Sequence, residues 1–536
     1  MVASTKKTEK LAFTTKLAFG AGDVGTALSA NLLIFFLLPF FTNVAGLSPS
    51  LAGSILMIGK ISDAINDPII GMLSDRTSTP WGRRIPWMIL GAIPFVLCFS
   101  LMWIVPNFDN NIYLFIYYML VAIAFHICYT SVNLPYQALT PELTKDYNER
   151  TSLNSFRFSF SIGASIFSLI LAGIIFDIYD GQDQEKYLIL GLLSSLIALV
   201  ALVWCPLQLQ ERGKKPLLTK PKRKNLGFLL IAIATILAIF AIFKIVNSTT
   251  PQDIFESIIF LFFTIMLSAM AWTFITGKIE PHLLIAEESK NKENQEQIPF
   301  FRQLKIVFSN KPFLFVIAIY LCSWLAVQLT ASILLFFVVN WMGLPESVFP
   351  QVAIAVQGTA LIMLFVWQMI GKKLDKKIVY FLGSTIWIIA QVGLFLIQPG
   401  QTTLLYLLAI LAGFGVSVAY LIPWSMIPDV IDLDELNTGK RREGIFYGFM
   451  VLLQKFGLAL GLFLVGIALD ASGFIRNIPG EAIPIQPSSA LLAIRLVVSV
   501  LPAIVLVIGI ILAYFYPITR EYHSQIRQKL DQKNYN

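Results

Sequence analysis

Residues 60–71 read KISDAINDPIIG and lie inside a longer apolar run, residues 51–73. Three of them, Lys60, Asp63 and Asp67, are ionisable, and their spacings of three and four place them on one face of a helix. At about 1.5 Å per residue, Asp63 lies roughly 18 Å into the run, near the middle of a hydrocarbon core about 30 Å thick. A charge at that depth costs about 2.5–3.5 kcal/mol, so it usually faces a polar interior and serves an ion or substrate pathway.

The composition is that of a membrane protein. Of the 536 residues, 56% are hydrophobic and 13% are charged, which is too apolar for a soluble domain of this size. The net charge of +8 does not indicate nucleic-acid binding, because the basic residues lie in short loops on alternate sides of apolar runs. The four cysteines form no CxxC pair, so we expect no disulfide framework, no metal cluster and no cofactor beyond a coupling ion.

Apolar runs of about 17–25 residues divide the chain into groups of six, two and six expected spans. These fourteen spans are residues 17–42, 51–73, 86–104, 112–139, 152–177, 187–205, 227–246, 254–276, 313–340, 349–370, 378–397, 403–427, 445–470 and 489–516. We therefore expect an all-α polytopic membrane protein. Its parts are a six-helix bundle over 1–205, linkers with two additional helices over 206–312, and a second six-helix bundle with a tail over 313–536.

The charge of the loops predicts the orientation. Loops 74–86 and 371–377, the stretch 436–443 and the tail after Tyr516 are basic. The loops on the other side are neutral or acidic, or carry one Arg. By the positive-inside rule we expect both termini in the cytoplasm and the protein in the plasma or inner membrane, surrounded by lipid.

The two six-helix blocks carry similar motifs in the same order. The second helix of each block is followed by a glycine, an acid and basic residues, at 71–76 in the first block and at 371–377 in the second. The fourth helices end in NLPY at 133–136 and in LIPW at 421–424. Major facilitator transporters are built from a parallel repeat of this kind, so we expect the major facilitator fold.

Asp63 and Asp67 are the strongest candidates for chemistry. Two carboxylates one turn apart, with Asn66 beside them, offer hard oxygen ligands to Na⁺. Alternatively they share a proton, because two like charges in a low dielectric do not both ionise readily. The structural alternative is that Lys60 and another cation neutralise them and hold helices together.

Three other charged residues lie inside apolar runs. Lys455 is about 16 Å from the basic end of its span at about 1.5 Å per residue, which is too deep for easy snorkelling. We expect it to meet a carboxylate of the protein or of a substrate. Arg157 is shallower and fits snorkelling as well as function. Asp23, in the sequence GDVG at 22–25, is similarly shallow, and it fits a substrate-binding acid as well as a cap for backbone opened by glycines.

The fourth span carries a continuous polar face formed by His126, Tyr129, Thr130, Asn133 and Gln137. A polar stripe on a membrane helix faces protein or water, and hydroxyl and amide groups suit a hydroxyl-rich ligand. His126 alone is more typical of a packing residue than of a proton relay.

The expected span 313–340 opens the second six-helix block. In it, Tyr320, Trp324 and Gln328 recur at every fourth position. Aromatic faces stack on the apolar faces of sugars, although such a stripe is more often packing.

Charged residues in the expected cytoplasmic loops favour a gate. We expect them to form salt bridges between the two halves that hold one face closed and break when it opens. These residues are Asp75, Arg76, Arg83, Arg84, Asp429, Arg441 and Arg442.

These motifs together resemble the glycoside-pentoside-hexuronide:cation symporters of the major facilitator superfamily, the group that includes melibiose permease. The resemblance covers both halves and leaves out 206–312. Its motifs are TTKLAFGAGD at 14–23, ISDAINDPIIG at 61–71, WGRR at 81–84, NLPYQALTPELT at 133–144, ERTSLNSFR at 149–157, and REG at 442–444 followed by Gln454-Lys455.

The resemblance implies roles for individual residues. Asp63 and Asp67, with Asn66 and Thr130, are implied to hold Na⁺, Li⁺ or H⁺. The implied sugar site is lined by Tyr129, Asn133, Gln137, Arg157 and Lys455.

The chain also departs from the pattern of melibiose permease. Ala27 and Asn133 stand where two carboxylates grip the sugar, and Gln137 replaces a stacking Trp, so a galactoside preference does not carry over. Some relatives keep an acid like Asp23. The pair of cations Arg157 and Lys455 suits an anionic sugar such as a hexuronide.

The sequence therefore predicts a secondary active transporter, not an enzyme. It couples Na⁺ or H⁺ to symport of a sugar, glycoside or hexuronide by alternating access, as a monomer. One alternative is cation-dependent transport of a lysophospholipid or another amphiphile. A membrane-embedded enzyme is a weaker alternative, since His126 has no Ser, Cys or Asp partner at a motif spacing and the chain has no GxxxxGK[ST] string.

Overall fold

The structure is a computed structural model, and it describes residues 10–108, 110–144, 146–277, 300–371, 373–439, 442–477 and 484–535. In these ranges the regular structure is helical apart from an isolated bridge between Thr79 and Gly82. The described helices are α1 (Phe13–Ala21), α2 (Val24–Pro39), α3 (Pro49–Arg76), α4 (Ile85–Leu101), α5 (Asn111–Gln137), α6 (Thr140–Leu143), α7 (Tyr147–Ile178), α8 (Asp183–Gln208), α9 (Lys220–Val246), α10 (Pro251–Thr276), α11 (Phe300–Ser309), α12 (Lys311–Phe336), α13 (Val348–Gly371), α14 (Lys376–Leu396), α15 (Thr402–Thr438), α16 (Glu443–Ala471), α17 (Ser488–Arg495), α18 (Leu501–Phe515) and α19 (Arg520–Tyr535).

The predicted class, an all-α polytopic membrane protein, is confirmed, but the predicted number of spans is two too high. Twelve spans in the described part of the chain are long and apolar enough to cross a membrane. The two remaining predicted spans correspond to α3 and α4. Helix α3 contains Lys60, Asp63 and Asp67 in its apolar run, and α4 has only 17 residues, so neither meets both criteria.

The described chain packs as two compact units. Unit 1 comprises residues 1–33, 65–107 and 120–292, and unit 2 comprises residues 34–64, 108–119 and 293–536. The three-part division at 205 and 312 stays a prediction.

In unit 1 the helices α9 and α10 form an antiparallel hairpin on the side of α8. Gly227 lets the two helices approach, since a methyl group there would lie 3.2 Å from the Ala271 carbonyl oxygen. Trp204 of α8 donates from Nε1 to Thr273 Oγ1 over 2.9 Å, which fixes α10 to α8. The two extra helices predicted from the sequence are therefore present. Helix α9 begins seven residues before the predicted position 227, because Lys and Arg are good helix formers and Pro221 fits a first turn.

The predicted first span, 17–42, is not one continuous α-helix. Helix α1 ends at Ala21 and α2 begins at Val24, so Gly22 and Asp23 form a break. Thr26 donates from its hydroxyl to Asp23 Oδ1 over 3.2 Å, beside this break. Asp23 thus lies where the glycines open the backbone, as its motif indicated.

In unit 2 the helices α12, α13, α14, α15, α16 and α18 pack around a large apolar core. Helix starts are fixed by side chains: Asp375 accepts from the Lys377 N–H over 3.0 Å at the start of α14. Helix α15 ends at Gly439, whose φ of 67° lies in the left-handed region that favours glycine. The tail helix α19 joins this core through the buried Ile526 and Leu530.

Of the three five-residue π-helical turns in the described residues, two occur at corresponding places in the sequence repeat. One spans Phe40–Val44 after α2 and the other spans Phe337–Trp341 after α12. Each is followed by a glycine with positive φ, Gly46 at 76° and Gly343 at 67°. The segments read NVAGL at 43–47 and NWMGL at 340–344, so the repeat extends to a local backbone geometry.

Candidate functional site

The first part of α3 packs antiparallel against α16 inside unit 2. A methyl group at Gly53 would lie 3.0 Å from the Leu462 carbonyl oxygen, and one at Gly466 would lie 3.1 Å from Gly53 Cα. Ser50 also donates to the carboxylate of Asp470. Because both glycines lack a side chain, the two backbones come close enough for residues further along each helix to meet.

Those residues are Asp63 and Lys455. The Lys455 ammonium lies 3.0 Å from Asp63 Oδ2, and the two side chains are 16% and 3% exposed. The expectation that Lys455 meets a carboxylate is confirmed, and the carboxylate belongs to the protein. A buried pair of this kind costs several kcal/mol of desolvation for each ion, so it is weak as a stabiliser and more typical of a functional element.

Asp67 lies one turn after Asp63 in α3 and belongs to unit 1. Thr130 of α5 donates from its hydroxyl to Asp67 Oδ1 over 3.3 Å. Thr130 is buried and Asp67 is half-buried. A carboxylate and a hydroxyl thus lie within contact distance, as the motif of α3 and the polar face of α5 indicated. Asn66 is also half-buried.

The remaining polar face of α5 is partly open. Tyr129 and Asn133 are half-buried and Gln137 is exposed. The Tyr129 ring lies 5.9 Å from that of Phe125 and 6.1 Å from that of Phe95, so one side of it packs on the core of unit 1. His126 is buried and its ring contacts Phe125 edge-on, in agreement with a packing role.

Arg157 of α7 lies in the same unit. Its guanidinium stacks 4.8 Å from the centre of the Phe158 ring, and its charge acts on the carboxylate of Asp23. The opposite charges of Asp23, just before α2, and of Arg157 in α7 therefore interact. The sequence singled out both residues but did not pair them.

An aromatic cluster surrounds Trp324 in unit 2. Its ring meets that of Tyr420 edge-on at 4.9 Å, and Trp424 donates from Nε1 to the Tyr320 hydroxyl over 3.1 Å. The Trp424 ring stacks on Tyr447 at 5.8 Å. Tyr420 is 42% and Trp424 is 37% exposed, so part of the cluster is free to contact a ligand. The sequence identified Tyr320 and Trp324, but it missed Tyr420 and Trp424, whose i, i+4 spacing was the available signal.

The residues predicted to form the gate make ion pairs inside their own units. In unit 1, Arg84 pairs with Asp75, and Arg83 pairs with Glu142. Arg76 is exposed. Salt bridges between the halves therefore stay a prediction for these residues.

In unit 2, Asp429 pairs with Lys376 over 2.6 Å, and its other oxygen lies 3.5 Å from His523 Nε2 of α19. Arg442 pairs with Asp434 over 2.6 Å. Arg441 lies outside the described residues.

Glu211 is a buried carboxylate that the sequence analysis did not single out. It accepts the backbone N–H groups of Arg83, Arg84 and Ile85 over 2.8, 2.7 and 2.9 Å. These groups open helix α4, and a carboxylate there satisfies donors that have no partner within the helix. Glu211 is three residues after Gln208, where α8 ends, at the start of a stretch rich in basic residues.

No group of three or more His, Cys, Asp or Glu residues suited to a metal ion occurs in the described part of the chain. A cavity of about 660 Å³ lies in unit 2 where α11, the start of α12 and the end of α15 meet. It is lined by Arg442 and by none of the residues predicted to bind cation or substrate.

A family model described as MFS/sugar transport protein matches residues 18–230 and 222–520. The chain belongs to this family. An uncharacterized symporter of Synechocystis sp., sll1374, is 58% identical over 98% of both chains. Sodium-dependent lysophosphatidylcholine symporter 1-A of Danio rerio is 26% identical over 99% of this chain and 91% of the relative.

Solved structures agree with the fold of this MFS transporter. The xylose transporter XylE from E. coli, in an inward-open conformation, covers 94% of this chain and 95% of its own with a TM-score of 0.52 and 13% identity. A bacterial homologue of the lysosomal transporter Spinster reaches 0.58 at 13% identity, with 96% and 97% covered. At this identity the likeness concerns the fold alone. The family and the symporter relatives make the chain a multi-pass secondary active transporter of a small molecule, and not an enzyme.

Proposed function

We propose that this MFS transporter couples a monovalent cation, Na⁺ or H⁺, to symport of a sugar, glycoside or hexuronide by alternating access, as in the glycoside-pentoside-hexuronide:cation symporters. The observation that carries the proposal is the buried ion pair between Asp63 of α3 and Lys455 of α16. An arriving cation and the Lys455 ammonium each supply one positive charge, so they compete for the same carboxylate.

The competition gives a coupling mechanism. When Na⁺ or a proton neutralises Asp63, the Lys455 ammonium is released to donate to a substrate. Asp67 with the Thr130 hydroxyl, and Asn66 nearby, supply further oxygen ligands for Na⁺. Cation and substrate then favour the same state, and their affinities rise together because coupling between sites is reciprocal.

The substrate class follows from the polar and aromatic residues. Tyr129, Asn133 and Gln137 offer hydroxyl and amide groups for hydroxyls of a sugar, and Trp324 belongs to a cluster with exposed aromatic faces. Arg157 and Lys455 are cations that suit a carboxylate, so a hexuronide fits better than a neutral galactoside. The two carboxylates implied for melibiose are absent at Ala27 and Asn133.

A lysophospholipid is the second candidate. Relatives named as sodium-dependent lysophosphatidylcholine symporters align over nearly the whole chain at 24–26% identity. The exposed faces of Tyr420 and Trp424 also suit a quaternary ammonium, since aromatic rings attract such cations.

Uptake into proteoliposomes tests the proposal. The purified chain is reconstituted and offered radiolabelled sugars, hexuronides and lysophosphatidylcholine under an imposed Na⁺ gradient, an H⁺ gradient or neither. We expect gradient-driven accumulation of one substrate class, and its loss in Asp63→Asn. Exposed Lys373→Gln is the matched control and retains uptake. Transport that ignores both gradients, or full accumulation by Asp63→Asn, contradicts the proposal.

The orientation is part of the proposal. We propose that both termini lie in the cytoplasm and that the protein works as a monomer in the plasma or inner membrane. A cysteine introduced at Lys529 of α19 should react with a membrane-impermeant maleimide only after the cells are opened. Labelling in intact cells contradicts this orientation.

A further inference from the structure

The start of α9 departs from the usual chemistry of a helix N-terminus. Asp and Glu are favoured there, because the first N–H groups have no helical partner and the dipole is positive. Helix α9 instead begins Lys220-Pro221-Lys222-Arg223-Lys224, and its N-cap Thr219 makes no side-chain cap bond. The next helix of the same hairpin, α10, has a complete capping box between Thr250 and Asp253. Four cationic side chains add to the positive charge of this helix end, so the start of α9 favours binding of an anion.

Arg223 gives independent support for an anion. The residue is 3% exposed, its Nε is buried without a hydrogen-bond partner, and it forms no ion pair with a described residue. Its Cα–Cβ bond is tilted toward the start of the helix, as in every α-helix. A buried guanidinium without a counter-charge is costly, and a bound anion removes that cost.

The surroundings indicate that the anion is a lipid headgroup. The apolar surface of α9 begins only five residues later, at Phe228 and Leu229, which are 60% and 55% exposed. At about 1.5 Å per residue this is roughly 8 Å along the helix. The cations therefore lie at the height where an apolar span meets the headgroup layer, the level at which juxtamembrane basic clusters bind anionic lipids.

The preceding linker adds charge and an interfacial aromatic residue at the same level. Lys214 and Lys215 are exposed, and the Lys215 N–H donates to the Pro80 carbonyl over 2.8 Å. This bond holds the linker against the α3–α4 loop, beside Trp81, which is 43% exposed. Exposed Trp is typical of the membrane interface. Glu211, the acid nearest to these lysines in the linker, is engaged by three backbone N–H groups.

We infer that the start of α9 is a binding site for the phosphate group of an anionic phospholipid, held by Arg223 and the open helix N-terminus and surrounded by Lys220, Lys222 and Lys224. The inference goes beyond the proposed transport function and does not depend on the substrate. It assigns a role to the hairpin α9–α10, which carries none of the residues predicted to bind cation or substrate.

Native mass spectrometry of the full chain, purified in detergent, tests the site. Phosphatidylglycerol and phosphatidylcholine with the same acyl chains are titrated separately, and inorganic phosphate is added as a competitor. We expect phosphatidylglycerol to bind more tightly than phosphatidylcholine and inorganic phosphate not to displace it. Displacement by millimolar phosphate would assign the site to a soluble anion and overturn the lipid assignment.

Variants locate the binding. Each Lys near an anionic lipid surface contributes about a fivefold gain in affinity, so the exposed triple variant K220Q/K222Q/K224Q should bind phosphatidylglycerol on the order of a hundredfold more weakly. A control triple with the same change in charge at exposed lysines elsewhere, K305Q/K373Q/K529Q, should bind it unchanged. Equal affinities in the two triples would refute the site.

Arg223→Gln should weaken phosphatidylglycerol binding at least about tenfold, and Arg223→Lys should lie between it and the parent, because lysine keeps the charge but loses the planar fork. Unfolding temperature in phosphatidylcholine checks that the variants fold. Because the three lysines are exposed, their triple variant tests the site even if Arg223→Gln does not fold. Unchanged selectivity in a folded Arg223→Gln overturns the role of Arg223.

Discussion

Breaking the ion pair between Asp63 and Lys455 should cost stability in a way that a double-mutant cycle detects. At 3.0 Å the attraction of the two charges is about 5–6 kcal/mol with an effective dielectric constant of 20. Removing one partner of a buried pair costs about 3–5 kcal/mol, whereas removing both often costs far less. We expect Asp63→Asn and Lys455→Gln each to destabilise by about 3–5 kcal/mol. The double variant should be more stable than their sum by about 2–4 kcal/mol.

The two single variants should differ. The Lys455 side chain is 16% exposed, whereas that of Asp63 is 3% exposed. Asp63→Asn leaves the Lys455 ammonium without this carboxylate, at a position that water reaches more readily. Lys455→Gln leaves the more deeply buried Asp63 carboxylate without this ammonium, so it should be the costlier change.

The assay is equilibrium unfolding in mixed micelles titrated with sodium dodecyl sulfate, followed by the fluorescence of the 10 tryptophans. The control cycle uses Lys244 and Glu256, a pair whose side chains are 27% and 46% exposed. There we expect little or no coupling, because water screens the charges of exposed ion pairs. If the coupling energy between Asp63 and Lys455 is no larger than that of the control pair, the two charges do not stabilise each other. The proposed competition between a cation and Lys455 for Asp63 is then contradicted.

Three further predictions concern other parts of the molecule. Gly466→Ala should destabilise by about 1–3 kcal/mol in the same unfolding assay, because its methyl group meets the backbone of α3, whereas Gly448→Ala, with open space around it, should be neutral or slightly stabilising. Thr130→Val should raise the Na⁺ concentration for half-maximal uptake about tenfold, since a hydrogen bond to a charged group is lost, and Thr130→Ser should not. Glu211→Gln should destabilise by about 2–3 kcal/mol, because a neutral amide is a weaker acceptor for three N–H groups.

Each of these has a contradicting result. Equal stability of the two glycine variants would show that α3 and α16 are not held at close approach. An unchanged Na⁺ requirement in Thr130→Val would remove its hydroxyl from the cation site. A fully stable Glu211→Gln would mean that water replaces the carboxylate at the start of α4.

Much of the fold was predictable because membrane helices leave a strong apolar signal in the sequence. The positions of α9 and α10 and the depth of Lys455 followed from run length and a rise of 1.5 Å per residue. The depth argument required a carboxylate for Lys455, and the structure supplies Asp63. Sequence could not choose between a protein and a substrate carboxylate, since that depends on which helices touch.

Contacts between distant segments were the part that sequence did not provide. The approach of α3 to α16 depends on Gly53 and Gly466, which look like ordinary glycines in two apolar runs. Glu211 lies next to a basic stretch, and only the path of the chain brings it to the start of α4. Run length alone predicted one helix over 17–42, and only the GDVG motif at 22–25 indicated that the backbone opens at Asp23.

The π-helical turns at Phe40–Val44 and Phe337–Trp341 have a consequence for any insertion or deletion in these helices. A π turn accommodates one residue more than an α turn of the same length, so deleting a single residue there allows regular α-helix to continue. Such a deletion leaves the residues beyond it close to their original orientation, whereas the same deletion in a regular α-helix rotates them by about 100°, because each residue turns the helix by 360°/3.6. Because both six-helix blocks have such a turn after their first helix, each block has one place where that helix can lose a residue without reorienting the side chains that follow.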